Sequence, residues 1–103
     1  MTITEMRNHI RSLCKKHTIK RYWCKDKYGA YAFSYYRCIR IPPIKSDMTY
    51  AIALHEIGHI LDGDSEIDAW VWAIENAVEW TKPMENMMMR CLQCHYDAMI
   101  DEI

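Results

Sequence analysis

The residues with the clearest chemical potential lie in the segment ALHEIGHILDGDSEIDAW, residues 53–70. Its His-Glu-x-x-His core puts His55 and His59 four apart, so on a helix both imidazoles project from one face, one turn above the other. Two nitrogens offered to one ion in this way suit a tetrahedral zinc. Glu56 lies about 100° around the helix from His55. It flanks the metal without having to bind it, and can accept a proton from water polarised by the ion. Gly58 weakens a helix, but beside the histidines it lets another element approach closely.

A metal so held needs a third protein ligand, and the acids that follow are Glu66, Asp68, Glu75 and Glu79. On a helix beginning after Ser65, the small or apolar stripe is Ala69, Trp72, Ala73, Asn76 and Ala77. Glu66 sits about two turns before Ala73 and projects over that stripe. Asp68 points away and has a capping role, while Glu75 and Glu79 suit solvent. Glu66 is therefore the expected third ligand, with Asp68 in reserve. The intervening Ile60–Ser65 must reverse the chain within a few residues, with Gly63 in a left-handed conformation ending the first helix. The alanines of the second helix then pack beside Gly58.

The elements that position these residues can be read along the chain. Thr4 is placed to cap a first helix over residues 5–17, with Met6, Ile10, Leu13, Cys14 and His17 on one face. IKRYWCK, AYAFSYY and RCIRI read as three short strands, with a hairpin turn at Asp26 to Gly29 and a stop at Pro42-Pro43. Ser46 or Asp47 caps the helix that carries His55 and His59. Ser65 starts the next, in a capping-box-like arrangement with Asp68, running to about Thr81. Thr81 and Pro83 open a last helix with an apolar stripe of Met84, Met87, Met88, Cys91, Leu92 and Met99. The expected fold is α+β: an N-terminal helix, a small three-stranded antiparallel or mixed sheet, the histidine helix, the glutamate helix and a C-terminal helix. Residues 1–103 form a single domain, since no repeat, low-complexity tract or Gly/Ser linker divides them.

Composition bounds the function. Half of the residues are apolar and no run approaches membrane-spanning length, so a folded chain with no membrane partner is expected. The N-terminus lacks an apolar signal-peptide core, and five cysteines cannot all pair, which points to reduced thiols and a cytoplasmic protein. The net charge of −1 conceals a strong polarity. Residues 1–46 hold eleven Lys/Arg against Glu5 and Asp26, a net +9, while residues 47–103 hold Lys82 and Arg90 against twelve acids, a net −10. With no nucleic-acid motif beside the basic half, the two halves are read as attracting each other on folding, and nucleic acid is not expected as a partner. Tyr22, Trp23, Tyr31, Phe33 and Tyr35 are accordingly expected on the core side of the sheet and at its rim. Trp70, Trp72 and Trp80 are expected to be packing residues.

Taken together, the Tyr50-AIALHEIGH run to His59 and the Glu66-Ile-Asp68-Ala69-Trp70-Val71-Trp72-Ala73 run resemble the gluzincin metallopeptidases, especially the ImmA/IrrE-type enzymes. In that family a TLAHELGH-like helix is followed by an E-x-E-A-x-x-F-A helix. The chain's size and element order are also similar to the minigluzincins. The resemblance covers residues 19–80, and the connection between His59 and Glu66 is shorter than the family's usual one. It implies one catalytic zinc ion on His55, His59 and Glu66, with Glu56 as general base and acid for hydrolysis of a peptide or protein substrate. ImmA-like enzymes cut regulatory proteins, so a regulatory protein is one implied partner. An extended peptide would pair with a strand edge, AYAFSYY being the candidate. Tyr50, His95 and Tyr96 are candidates for stabilising the oxyanion. The competing class is a non-catalytic, zinc-stabilised regulatory module whose basic N-terminal half contacts DNA or a protein.

Two cysteine patterns are discounted. CLQCH, residues 91–95, matches a c-type haem attachment pattern, but thiols and a histidine on an amphipathic helix explain it more simply. A second zinc site from Cys24, Cys38, Cys91 and Cys94 matches no compact knuckle spacing. Cys91, Cys94 or His95 reaching the catalytic metal and holding the enzyme latent is a further expectation.

Overall fold

The computed structural model describes residues 1–101. The first helix, α1 (Ile3–His17), is capped by Thr2, two residues earlier than Thr4. Thr2 Oγ1 accepts the Glu5 N–H at 3.1 Å, while the Glu5 carboxylate accepts the Thr2 N–H at 3.1 Å, so the box is reciprocal. The pairing explains the shift, because Thr2 has a glutamate three residues on and Thr4 does not. Met6, Ile10 and Cys14 are buried as the periodicity requires, and Leu13 packs partly against the core.

Three short strands follow: β1 (Lys20–Trp23), β2 (Tyr31–Phe33) and β3 (Cys38–Ile41). Their order is β1-β3-β2, with β1 parallel and β2 antiparallel to β3, so the sheet is mixed. Asp26 to Gly29 is therefore not a hairpin turn. Its latter part is a 3-10 turn, Lys27–Gly29, joining two strands that do not pair. The apolar strand takes the centre: Ile39 and Ile41 are fully buried, and a central position covers both edges of the strand that carries them. The SYY part of AYAFSYY is likewise no strand but a second 3-10 turn, Ser34–Tyr36.

The aromatic residues of this region are not on the core side. Trp23 is 61 % exposed and Tyr35 is 90 % exposed, and Tyr22, Tyr31 and Tyr36 also face solvent. The interior beside the sheet is already filled by Ile39, Ile41 and Ile44 with the helical residues packed on them.

Helix α2 (Asp47–Asp62) is the centre of the molecule, with Tyr50, Ala51, Ala53, Leu54 and Ile57 fully buried. Ser46 caps it through a box with Thr49. Helix α3 (Glu66–Asn76) ends five residues before Thr81. The chain then runs irregularly, because the Tyr50 hydroxyl takes the Val78 N–H at 3.0 Å in place of a helical carbonyl. Helix α4 (Lys82–Asp101) opens after Thr81, whose hydroxyl donates to the Asp47 carboxylate at 2.7 Å and ties the start of α4 to the start of α2. Met84, Met87 and Met88 are buried, whereas Met99 is exposed because the last turns of α4 extend beyond the core. Trp70 is buried, and Trp72 and Trp80 pack partly against the core. Among the described residues no helix is long and apolar enough to cross a membrane.

Helices α2 and α3 cross at Gly58. A Cβ added there would lie 2.6 Å from the Ala69 carbonyl oxygen and 3.0 Å from its Cα, contacts that only backbone movement relieves. This is the close approach expected of Gly58, with an alanine of the second helix against it. Gly58→Ala is expected to destabilise the protein by about 1–3 kcal/mol, the usual cost of overpacking a rigid contact. The urea unfolding midpoint measures this; an unchanged midpoint would mean that α3 does not rest on Gly58.

Candidate metal centre

His55 and His59 extend from one face of α2, with ring centroids 4.5 Å apart and the rings edge to face. Glu66 is the first residue of α3, so the turn between the helices decides where its carboxylate goes. That turn is Gly63, at φ 91° and ψ −163°. Its φ is positive as expected, but its ψ is extended rather than left-handed helical, a combination essentially confined to glycine. The Gly63 N–H closes α2 on the His59 carbonyl at 3.1 Å. The chain is thereby reversed at once, and Glu66 returns over the two histidines.

The three side chains converge. Glu66 Oε1 lies 2.8 Å from His59 Nε2, and Oε2 lies 3.2 Å from His55 Nε2. The two Nε2 atoms are 3.1 Å apart. One donor atom from each residue lies within 4.8 Å of the others, close enough to bind one metal ion, and among the described residues this is the group that qualifies. Two imidazole nitrogens and a carboxylate oxygen are donors that divalent transition metals accept. His59 Nδ1 is 2.9 Å from the Gly63 carbonyl, so that nitrogen carries the proton and Nε2 is directed to the cluster. The His55 ring stacks on Trp70 at 4.1 Å, which fixes its plane.

The other acids stand apart. Asp68 is exposed, and Ser65 Oγ accepts its backbone N–H at 3.2 Å, so Ser65 caps the helix while the expected return bond from the Asp68 carboxylate is not formed. Glu75 is exposed, and the Glu79 carboxylate lies 3.5 Å from the N-terminal ammonium. Cys24, Cys38, Cys91 and Cys94 do not form a metal group among the described residues.

Charge within the cluster is strongly perturbed. Hydrogen bonds from His55 and His59 hold the Glu66 carboxyl well below the usual carboxylate range. The Glu66 hydrogen bond raises the His59 imidazole to about 9, against the effect of burial. Burial lowers the His55 imidazole. Glu56 is 5 % exposed, with its Oε1 3.9 Å from His55 Nε2, outside the convergent trio. Burial pushes its carboxyl up to about 7.

A pH dependence of the metal-free protein follows. Folding raises the proton affinity of His59, so this group stabilises the fold fully below its ordinary value of 6.5, and the contribution is lost as pH rises through about 9. The depressed Glu66 contributes above the ordinary carboxylate value and loses its contribution only as pH falls below it. The melting temperature in chelator is therefore expected to fall between pH 6.5 and 9. Glu66→Gln should flatten that slope; equal slopes in the two proteins would show that Glu66 does not hold the His59 proton.

The cluster and Glu56 open on a cleft of about 630 Å³. Tyr31 and Ala32 of β2 form one wall, Ile52 and Trp70 lie between, and Met87, Arg90, Cys91 and Cys94 of α4 form the other. Of the residues expected at the oxyanion, Tyr50 is not here. It is fully buried, with its hydroxyl 2.6 Å from His9 Nδ1 and accepting the Val78 N–H. His95 and Tyr96 do not line the cleft either; its hydroxyl groups come from Tyr28, Tyr31 and Ser34. Cys91 and Cys94 line its wall but do not join the His55, His59 and Glu66 group, and His95 does neither, so none of the three is placed to hold the metal as expected. Arg90 was not singled out by the sequence. The signal for it was its place three residues after the buried Met87, on the stripe that continues to Cys91 and Cys94.

Compared with known proteins, the chain matches no family model, no curated protein and no solved structure.

Proposed function

We propose that this chain is a zinc-dependent metallopeptidase of gluzincin type, similar in kind to the ImmA/IrrE enzymes. The observation that carries the reading is the convergence of His55, His59 and Glu66 to within 4.8 Å in a cleft that also contains Glu56. Zinc held by these three residues would supply a Lewis acid that polarises a carbonyl and acidifies water. Glu56 takes the proton from the attacking water onto its carboxylate and returns it to the amide nitrogen as the peptide bond breaks. Its burial supports that role, because a desolvated carboxylate holds a proton near neutral pH.

The cleft also supports a peptide as the substrate. Strand β2 is at the sheet edge and pairs with β3 on one side, and its Tyr31 and Ala32 line the cleft. An extended chain can hydrogen-bond to such an edge while alternate side chains enter the space beside Ile52, Trp70 and Met87. Ser34, Tyr28 and Tyr31 line the cleft, and a hydroxyl donor to the developing oxyanion would come from among them. A regulatory protein is a suitable target class, since a mobile segment of a folded protein can adopt the extended form.

The test is cleavage of an unstructured peptide mixture, read by mass spectrometry. The zinc-loaded protein is expected to cut, chelator to stop cleavage, and added zinc to restore it. Absence of cleavage by the loaded protein would defeat the reading.

A further inference from the structure

A second concave surface shares no lining residue with the metal cleft. Its volume is about 620 Å³, and it lies where the end of α1 meets β1 and the turn before β3. Arg11, Lys15, Lys20, Arg21 and Arg37 line it, and no carboxylate does. Among the described residues none of these five cations takes part in an ion pair. Arg37 is held in place by donating from Nη2 to the His17 carbonyl. The surface continues through Ile19, Lys20 and Arg21 into a groove of about 390 Å³ that ends on Tyr22 and Trp23.

The aromatic residues on this surface need an explanation that packing does not give. Tyr35 and Tyr36 line the larger part, stand edge to face with centroids 5.0 Å apart, and are both largely exposed. Tyr22 and Trp23 at the other end are more than half exposed. Aromatic faces interleaved with uncompensated cations are what a nucleic-acid strand requires: cations follow its phosphates and rings stack on its bases. A duplex keeps its base faces stacked internally, so it can use the cations but not the rings. An acidic peptide can also use the cations, but its carboxylates offer no ring-sized π face to stack.

We infer that this basic, aromatic surface binds single-stranded nucleic acid, with phosphates along the five cations and bases on Tyr22, Trp23, Tyr35 and Tyr36. The inference stands independently of the peptidase reading, because it uses none of the residues of the metal cleft. The +9 charge of residues 1–46 then has a role beyond attracting the acidic half of the chain.

Fluorescence anisotropy of labelled oligothymidylate with the full chain tests it, with a duplex of equal length and polyglutamate as comparisons. Oligothymidylate is expected to bind most tightly, and its log affinity to fall with log salt by about 0.7 per phosphate contacted. Replacing Tyr35 and Tyr36 together with alanine should weaken binding about tenfold or more while keeping the salt slope. Replacing Lys15 and Lys20 together with glutamate should instead reduce the slope. All four side chains are exposed, so circular dichroism should show the folded protein in each variant. Polyglutamate binding as tightly as the strand would make this an acidic-protein surface and overturn the inference. So would duplex binding as tight as single-strand binding, no loss of affinity in the tyrosine variant, or no binding at low salt.

Discussion

Replacing Glu56 with glutamine is expected to leave zinc content unchanged and to slow peptide hydrolysis by about 10²–10⁴-fold. The amide nearly matches the carboxylate in size, so the buried site keeps its packing. It cannot take a proton from water at neutral pH, so only the base is removed. Glu56 Oε1 stands 3.9 Å from His55 Nε2 and outside the convergent trio, which is why the metal should stay. Stability should also be preserved, because burial already disfavours the charged form that the substitution removes. Rates are measured on the metal-loaded variant beside elemental analysis of the same sample. Full activity with full metal content would assign the proton transfer to another group.

Glu66→Ala should have the opposite signature. It removes one of three donors, and zinc affinity is expected to fall by at least about 100-fold, since even partners that only orient a ligand are worth about 10–100-fold. Competition with a chromophoric chelator gives the affinity, and the purified variant should carry little zinc. Asp68→Ala is the matched control, two residues along the same helix, exposed, and linked to Ser65 through its backbone rather than its carboxylate. The control should bind zinc like the parent. Equal zinc content in the Glu66 and Asp68 variants would exclude the carboxylate that closes the trio.

What the sequence made readable and what it did not divide along one physical line. The histidine pair, Gly58, Gly63 and Glu66 all lie within twelve residues, where helix periodicity and one glycine turn determine direction. Local geometry was enough to rank Glu66 above Asp68, Glu75 and Glu79. The order β1-β3-β2 was not readable, because strand order depends on contacts between segments far apart in sequence. Asp26 to Gly29 had turn composition, but composition does not say which strand comes next to which. The end of α3 was misjudged for a related reason: the Tyr50 hydroxyl that takes the Val78 N–H comes from 28 residues away. Exposure of Tyr35 and Trp23 depended on whether the core was already full, which no local pattern reports. The cleft wall on α4 belongs to the same class, since Arg90 and Cys94 come to line the cleft only through tertiary packing.

The shortness of the turn from His59 to Glu66 has a consequence for folding. A metal joining these residues closes a loop of only seven positions, and the entropy an unfolded chain loses on such closure is small because the ends are never far apart. An ion bound there would therefore withdraw little freedom from the unfolded ensemble. Its donors are instead brought together by the crossing of α2 and α3 at Gly58 and Ala69. Contacts so close in sequence can form early in folding, before the sheet has gathered its distant strands. A metal would in this sense be a guest of a site already assembled, and the metal-free and loaded chains should share one fold.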